Sequence, residues 1–387
     1  MIVTLNAGSS SIKLALFETA PAMMPILTGA LTGIGEHPRF SAHDAAGTHL
    51  IDRDWPNDAN APHEKFLTEI LDFITSHTNN KPLRAAGHRV VHGGATHTGP
   101  ARITPALLTE LEKLIPLAPL HQPHNLAAIR ALAKLRPDLP QVACFDTAFH
   151  HTLPPLATAF AIPTEYANEG VRRYGFHGLS YNFIANRLKI LAPTLAAGRV
   201  IVAHLGAGAS LCALCHGLSM DTTMGLTALD GLMMATRCGT IDPGVILYLQ
   251  QTRHLSAAET ETILYHKSGL LGVSGLSGDM RTLHASPAPR AQFAIDLFTY
   301  TIARQAAALV ASLGGLDALI FTAGIGENDP KIRAAVCTRL AWLGLHLDPA
   351  ANESPQGAVS NATSPVAIWV IPTDEERMIA EQTQSIA

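Results

Sequence analysis

One short pattern occurs twice in this chain, at an interval of two hundred residues. It reads Leu5-Asn6-Ala7-Gly8-Ser9-Ser10-Ser11 near the start and Leu205-Gly206-Ala207-Gly208-Ala209-Ser210-Leu211 in the middle. Each copy follows an apolar run of strand character (Met1 to Leu5; Val200 to Leu205) and precedes another (Ile12 to Phe17; Leu211 to Cys215). Each therefore predicts a strand, a tight Gly/Ser turn and a second strand. Such turns aim backbone N–H groups outward, and glycine lets a phosphate come close to them. Two matching turns in equivalent settings predict a duplicated nucleotide-binding domain whose hairpins grip a polyphosphate from both sides.

At 387 residues the chain is long enough for two domains, each with its own core. An apolar content of 47% against 15% charged residues fits a globular protein rather than a disordered one. A net charge of −4 with no basic stripe gives no reason to expect nucleic acid as a partner. No apolar run reaches the roughly 18 residues of a membrane span. The chain enters a strand without a basic leader segment, so the expectation is a cytoplasmic protein with no membrane partner. The five cysteines are odd in number and scattered. Cys212 and Cys215 fall three apart in a predicted strand, on opposite faces, which argues for reduced thiols rather than a shared metal.

The remaining pattern alternates strands and helices. Residues 39 to 62 are polar and turn-rich, a surface hairpin and loop. Phe66, Ile70, Leu71, Phe73 and Ile74 recur at helical spacing, and a strand follows from Arg84 to His92. Thr104-Pro105 reads as a helix N-cap with proline at the first position. Leu126 to Leu135 predicts a second helix, and Gln141 to Phe145 a buried strand ending at Asp146. The second half repeats the logic, with helices at Tyr181 to Leu191 and Arg290 to Leu313 and strands at Arg199 to Leu205, Ala318 to Thr322 and Val366 to Ile371. A last helix starts near Glu375. This order predicts an α/β architecture of two similar domains around an interdomain cleft. The expected boundaries are 1–146, completed by the C-terminal helix 375–387, and 147–374.

Several residues could carry chemistry. Lys13 beside Ser9, Ser10 and Ser11 supplies a point charge for phosphate, although Gly-Ser-Ser is also an ordinary turn. Gly324-Ile325-Gly326-Glu327-Asn328 lies between a strand and a helix expected near Asp329, where ligands cross strand ends. It lacks the third glycine of a dinucleotide fingerprint, because Asp329 stands there. Arg89, in His88 to Gly94, and Arg237, in Thr236 to Gly239, each sit in strand-and-glycine surroundings. Either alone could pair with a structural carboxylate; two suit a small anion or a phosphoryl group in transfer. Asp146 either faces the crevice at the strand end or caps the next helix. His177 is flanked by Gly175 and Gly178, and is either structural or open to substrate. Glu375 is either a helix-start acid or a magnesium ligand.

Together these segments closely resemble the acetate kinases of the acetate and sugar kinase/Hsp70/actin superfamily. The resemblance runs from Asn6 to about Glu375. It rests on Leu5 to Lys13, His88 to Gly94, Ala118 to His121, Phe145 to His150, Arg173 to Gly178, His204 to Ser210, Asp221 to Gly225, Gly231 to Arg237, Ser268 to Arg281, Phe321 to Asn328 and Ile371 to Glu376. It implies two duplicated actin-like (ribonuclease H-like) domains and reversible in-line transfer of the ATP γ-phosphoryl group to acetate, giving acetyl phosphate and ADP. It also implies ATP as co-substrate, Mg2+ as cofactor with Mn2+ able to substitute, and a homodimer.

By residue, the resemblance places Asn6 and Glu375 at the metal. The nucleotide falls to Lys13, Ser9, Ser11, His204, Leu205, Gly206, Ala207, Gly208, Asp279, Met280, Arg281, Gly324, Ile325, Gly326, Glu327 and Asn328. Arg89 takes the acetate carboxylate, and Val91, Leu120, Phe176 and His121 form its surroundings. Asp146 is the active-site acid, and His177 and Arg237 stabilise the transition state. The chain departs from the family pattern at Ala207 for Asn, Ala228 for Pro, Thr240 for Asp, Leu179 for Thr, Tyr181 for His and Asp374 for Asn. The competing expectations are a kinase for propionate or butyrate, and a non-catalytic ATP-binding module of the same fold.

Overall fold

A computed structural model describes residues 1–8, 11–19, 22–55, 63–78, 81–355 and 357–387. The chain divides into two compact units. One comprises Met1–His151, Gly178–Ser180 and Asp374–Ala387; the other comprises Thr152–His177 and Tyr181–Thr373.

The first unit is built on an eight-stranded sheet. In chain order its strands are β1 (Ile2–Ala7), β2 (Ser11–Glu18), β3 (Met24–Thr32), β4 (Arg39–Asp44), β5 (His49–Asp54), β6 (Ala85–Val90), β7 (Ala101–Arg102) and β8 (Gln141–Phe145). Their spatial order is β5-β4-β3-β2-β1-β6-β8-β7. β1 to β5 form an antiparallel meander, while β6 joins β1 and β8 joins β6 in parallel.

Alternation along β1 and β2 splits the unit's core in two. Val3, Leu5, Leu14 and Leu16 pack with Phe66, Ile70 and Leu132 from the helices His63–Ser76 and Gln122–Leu135. Ile2, Ala15 and Phe17 pack on the other side with Ala380 of the C-terminal helix Glu375–Ile386. That helix comes so close to β6 that a Cβ on Gly87 would overlap Thr383 Oγ1 and stand 2.7 Å from Ile379.

The second unit has a five-stranded sheet of β9 (Arg199–Leu205), β10 (Ala209–Cys215), β11 (Leu218–Thr222), β12 (Ala318–Thr322) and β13 (Ala367–Val370), ordered β11-β10-β9-β12-β13. β9, β10 and β11 are antiparallel, and β12 runs parallel to both β9 and β13. This repeats β3-β2-β1-β6-β8 of the first unit, strand for strand and sense for sense. The duplication read from the two glycine turns is therefore a duplication of sheet topology. The long helix Pro289–Leu313 buries Ala291, Ala294, Phe298, Ile302 and Ala306 along one face. Among the described residues, no helix is long and apolar enough to cross a membrane.

Three expectations need correction. The polar stretch from residue 39 is more than a surface hairpin, because β4 extends the main sheet and buries Phe40 and Ala42 in the core; residues 56 to 62 lie outside the described ones. Arg237 is in no strand: Thr236 to Gly239 is irregular chain. Ala323–Asn328 is a short helix rather than a glycine loop, followed by a separate helix at Pro330–Arg339 that Asp329 caps.

Candidate active site

In the first unit, three neighbouring strands end on the same side. β1 carries Asn6, β6 carries Arg89, and Asp146 follows β8. The Arg89 Nε and Nη2 groups both donate to Asp146 Oδ2, at 3.0 and 2.6 Å, and Nη1 donates to Asn6 Oδ1 at 3.2 Å. Asp146 is 1% exposed and the Arg89 side chain 20%. Burial alone would lower the Arg89 pKa, but the Asp146, Glu375 and Glu376 carboxylates outweigh it and hold the guanidinium above the ordinary arginine value. Asp146 thus holds an arginine at the end of β8. Three of the five guanidinium N–H groups are engaged in these bonds. That leaves one N–H on each Nη outside these bonds.

Lys13 is the register partner of Asn6 across the first hairpin and is exposed. It interacts with Glu376 at the start of the C-terminal helix. Burial raises the Glu376 carboxyl above its usual range, and neighbouring Glu375 and Asp374 raise it further. Asp374 is likewise raised by burial, and its Oδ1 accepts from Arg377 N as the helix N-cap. Among the described residues, the carboxylates of Asp146, Asp374, Glu375 and Glu376 thus stand against the cations of Arg89, Lys13 and Arg377. Asn6, Glu375 and Glu376 offer hard oxygen donors in this negative field, which is chemistry that fits Mg2+ held by few protein contacts.

Val91 is buried behind this cluster. Its N–H donates to Asn125 Oδ1 at 3.0 Å, and Asn125 Nδ2 donates to Ala7 O at 2.6 Å. Gln122 exchanges bonds with the His92 backbone at 3.1 and 3.0 Å. These two buried amides set the segment after β6, and the sequence reading missed them. The signal was there: polar Gln122 and Asn125 interrupt the apolar face of an amphipathic helix. Leu120 and His121 are half-buried just before that helix. Ser9 lies outside the described residues. Ser11 opens β2, and its carbonyl accepts from Gly8 N at 2.8 Å.

In the second unit, the ends of β9 and β12 bring both glycine segments together. A Cβ on Gly206 would stand 3.8 Å from Ala323 Cβ and 4.0 Å from Gly324 N. The N–H of Gly206 closes its own turn on Gly208 O at 3.0 Å, as that of Gly8 does in the first hairpin. These two donors are therefore spent within their turns rather than aimed outward. The helix Ala323–Asn328 is fixed from inside. Glu327 Oε1 accepts from Ala323 N at 2.7 Å and Thr373 N at 3.0 Å, and Asn328 Nδ2 donates to Gly324 O at 2.9 Å. Glu327 and Asn328 thus shape the segment.

Arg333, 1% exposed, donates through Nη1 to Gly326 O and Glu327 O at 2.9 and 2.8 Å, and through Nε and Nη2 to Asn352 at 2.7 and 2.5 Å. It is a buried clamp that the sequence reading overlooked, because an arginine on a helix normally faces water.

His177 takes a left-handed backbone (φ 58°). Its ring stacks on His204 with centroids 4.2 Å apart and planes 16° apart, and Nδ1 lies 2.8 Å from Ser210 Oγ. Its Nε2 faces Gly208, where a Cβ would stand 3.2 Å away. Leu205 ends β9, and Ala207 O accepts from Ala235 N at 3.1 Å, which ties the turn to the Arg237 segment. Arg237 Nη1 donates to Ala228 O at 3.0 Å. Phe176 is buried beside His177. Asp279 caps the helix Met280–Ala285 and pairs with exposed Arg281, whose side chain holds the Asp279 carboxyl down at about 2. Met280 is buried.

The duplicated topology, the arginine–carboxylate centre and the glycine segments at strand ends define a kinase with a carboxylate acceptor, of the duplicated actin-like class. The Acetokinase family profile matches residues 1–381, and the chain belongs to that family. It is 53% identical to an acetate kinase of Rhodopseudomonas palustris (strain ATCC BAA-98 / CGA009), over 100% of this chain and 98% of that protein. It is 48% identical to an acetate kinase of Methylocella silvestris, over 100% and 97%. Among solved structures it resembles a propionate kinase from Francisella tularensis (36% identity, TM-score 0.93) and the Porphyromonas gingivalis acetate kinase (36%, TM-score 0.88), each over 100% of this chain and 99% of the other. ATP is the family's co-substrate.

Proposed function

We propose that this enzyme transfers the γ-phosphoryl group of Mg2+-bound ATP to acetate, reversibly, giving acetyl phosphate and ADP. The observation that carries the reading is the Arg89 fork held by Asp146 and Asn6. A short carboxylic acid with a pKa near that of Glu, about 4.3, is ionised at neutral pH, so the nucleophile needs no general base. The barrier lies in bringing two anions into line. Arg89 orients the acid so that one carboxylate oxygen attacks the γ-phosphorus while the bond to the β-bridging oxygen breaks, and ADP carries away the charge. Arg237 and His177 stabilise charge on the transferring group. Gly206 to Gly208, Gly324 to Asn328, Lys13 and Asp279 to Arg281 serve the nucleotide. Asn6 and Glu375 would hold the Mg2+, which would neutralise phosphate charge. The two halves act as domains of one enzyme, in the cytoplasm and as a homodimer.

Val91, Leu120, Phe176 and His121 surround the methyl group, and branched, buried Val91 keeps that space small. The neighbour named as a propionate kinase makes the longer acid the chief competitor. One methylene in such a pocket is worth about 1–3 kcal/mol, or roughly 10–200-fold. With ATP, Mg2+ and a panel of short acids in a hydroxamate assay, kcat/KM for acetate exceeds that for propionate by about tenfold or more. A higher value for propionate overturns the acetate assignment. Absence of acyl phosphate from every acid points instead to a nucleotide-binding module.

Asp374 places an extra carboxylate beside Glu375. Asp374→Asn preserves the cap, since Asn caps as well as Asp. Removing one charge near the metal, ~1 kcal/mol, shifts the half-saturating Mg2+ concentration about fivefold. The acetate KM moves less. A Mg2+ titration identical to that of the unsubstituted enzyme contradicts the metal placement.

A further inference from the structure

We infer that His284 and Asp329 are positioning residues that hold two segments of the second unit, Asp279 to Arg281 and Gly324 to Asn328, in one fixed relation for the nucleotide. This rests on the reading that both segments serve the nucleotide.

Forty-five residues separate the pair in sequence, and His284 Nε2 lies 2.9 Å from Asp329 Oδ2. The two side chains are 22% and 15% exposed, so the bond is largely shielded from water. A carboxylate accepts from the Nε2–H of a neutral or a charged ring, so the bridge does not depend on the charge of His284.

Asp329 is the joint between two helices. Its N–H donates to Ile325 O at 2.9 Å and closes Ala323–Asn328. Its Oδ1 accepts from Ile332 N at 3.0 Å and caps Pro330–Arg339. Its carbonyl accepts at 3.2 Å from the N–H of Arg333, whose side chain holds Gly326 O and Glu327 O. Oδ2 reaches beyond these two helices to His284.

His284 comes from the helix Met280–Ala285, which buried Met280 and Leu283 anchor. It follows Arg281 by three residues, so the two side chains are neighbours on the helix surface. Arg281 is 92% exposed and pairs with Asp279 at 2.9 Å. The bridge thus fixes the helix that presents Arg281 against the end of the glycine segment. Asp329 stands where a dinucleotide fingerprint has its third glycine, and glycine has no side chain to make either the cap or the bridge.

The test measures ADP binding with Mg2+ by calorimetry, ATP and acetate kinetics, and thermal melts. The variants are His284→Ala, His284→Gln, Asp329→Ser and the double variant of His284→Ala with Asp329→Ser. Serine still caps the helix but is too short to reach His284, so it cuts the bridge and spares the cap. His284→Ala and Asp329→Ser each weaken ADP binding and raise the ATP KM about fivefold. The acetate KM, and kcat at saturating ATP, stay within about twofold. The double variant is no worse than either single one, because both cut one bond. Glutamine places an amide donor near the position of Nε2, so His284→Gln brings ADP binding back to within about twofold. A merely structural bridge lowers the thermal midpoint and leaves ADP affinity unchanged, and that result overturns the inference. So does a double variant whose loss is the product of the single losses, or an acetate KM that moves as far as the ATP KM. Absence of ADP binding by the unsubstituted protein overturns the nucleotide reading itself, and the inference with it.

Discussion

Replacing Arg89 with alanine lowers kcat/KM for acetate by about a hundredfold or more, the scale expected when the group that orients a reacting acid is lost. It also destabilises the fold, because Asp146 at 1% exposure loses the guanidinium that donates twice to its Oδ2 and offsets its burial. Breaking one side of a buried pair costs about 3–5 kcal/mol, and the 20% exposure of Arg89 argues for the lower end. The two effects separate in Arg89→Lys. Lysine keeps the charge but not the planar fork, so stability recovers more than turnover does. Asp146→Asn supplies the complementary check. It leaves the arginine charged but loosens its orientation, and kcat falls about a hundredfold. Steady-state kinetics and thermal melts of the three variants measure this, and near-normal turnover in Asp146→Asn contradicts the orienting role.

The second large effect is at Arg333. Arg333→Ala removes the four donations to Gly326, Glu327 and Asn352 and leaves a cavity. Unsatisfied buried carbonyls cost about 1–3 kcal/mol each, and the cavity adds to that. The expected loss is about 3 kcal/mol or more, read from denaturant melts. Because the arginine closes the end of the Ala323–Asn328 segment, the ATP KM also rises, by about tenfold, while the acetate KM changes less. A variant with the same stability and ATP KM as the unsubstituted enzyme contradicts the clamp.

The sequence made most of the fold legible where local signals agreed. Gln141–Phe145 and Ala318–Thr322 are short apolar runs with sharp ends, and both strands occur at those bounds. Thr104-Pro105 predicts a cap, and Thr104 Oγ1 accepts from Leu107 N at 3.2 Å. Gly324 and Gly326 argue against a helix on propensity, yet the segment is helical. Side-chain bonds made by Glu327, Asn328 and Arg333 offset that cost of about 1 kcal/mol per glycine. The Arg237 segment misled for a related reason. Its shape depends on distant glycines: a Cβ on Gly269, where φ is 62°, would overlap Met234 O.

The residues that would do chemistry were visible as types, but their partners were not. That Arg89 meets Asp146 follows from β6 and β8 lying side by side in parallel, which no spacing in the sequence reveals. Ser210 and Tyr181 look like ordinary turn and helix residues until the sheet brings them to His177.

The most direct measurement counts both products of one reaction. ADP and acetyl phosphate are quantified over time with ATP, Mg2+ and acetate, and again with acetate omitted. An acid oriented for in-line attack gives one acetyl phosphate for each ADP and almost no ADP without acetate. ADP released at the same rate in both conditions, with no acyl phosphate, would show that water rather than a held carboxylate receives the phosphoryl group.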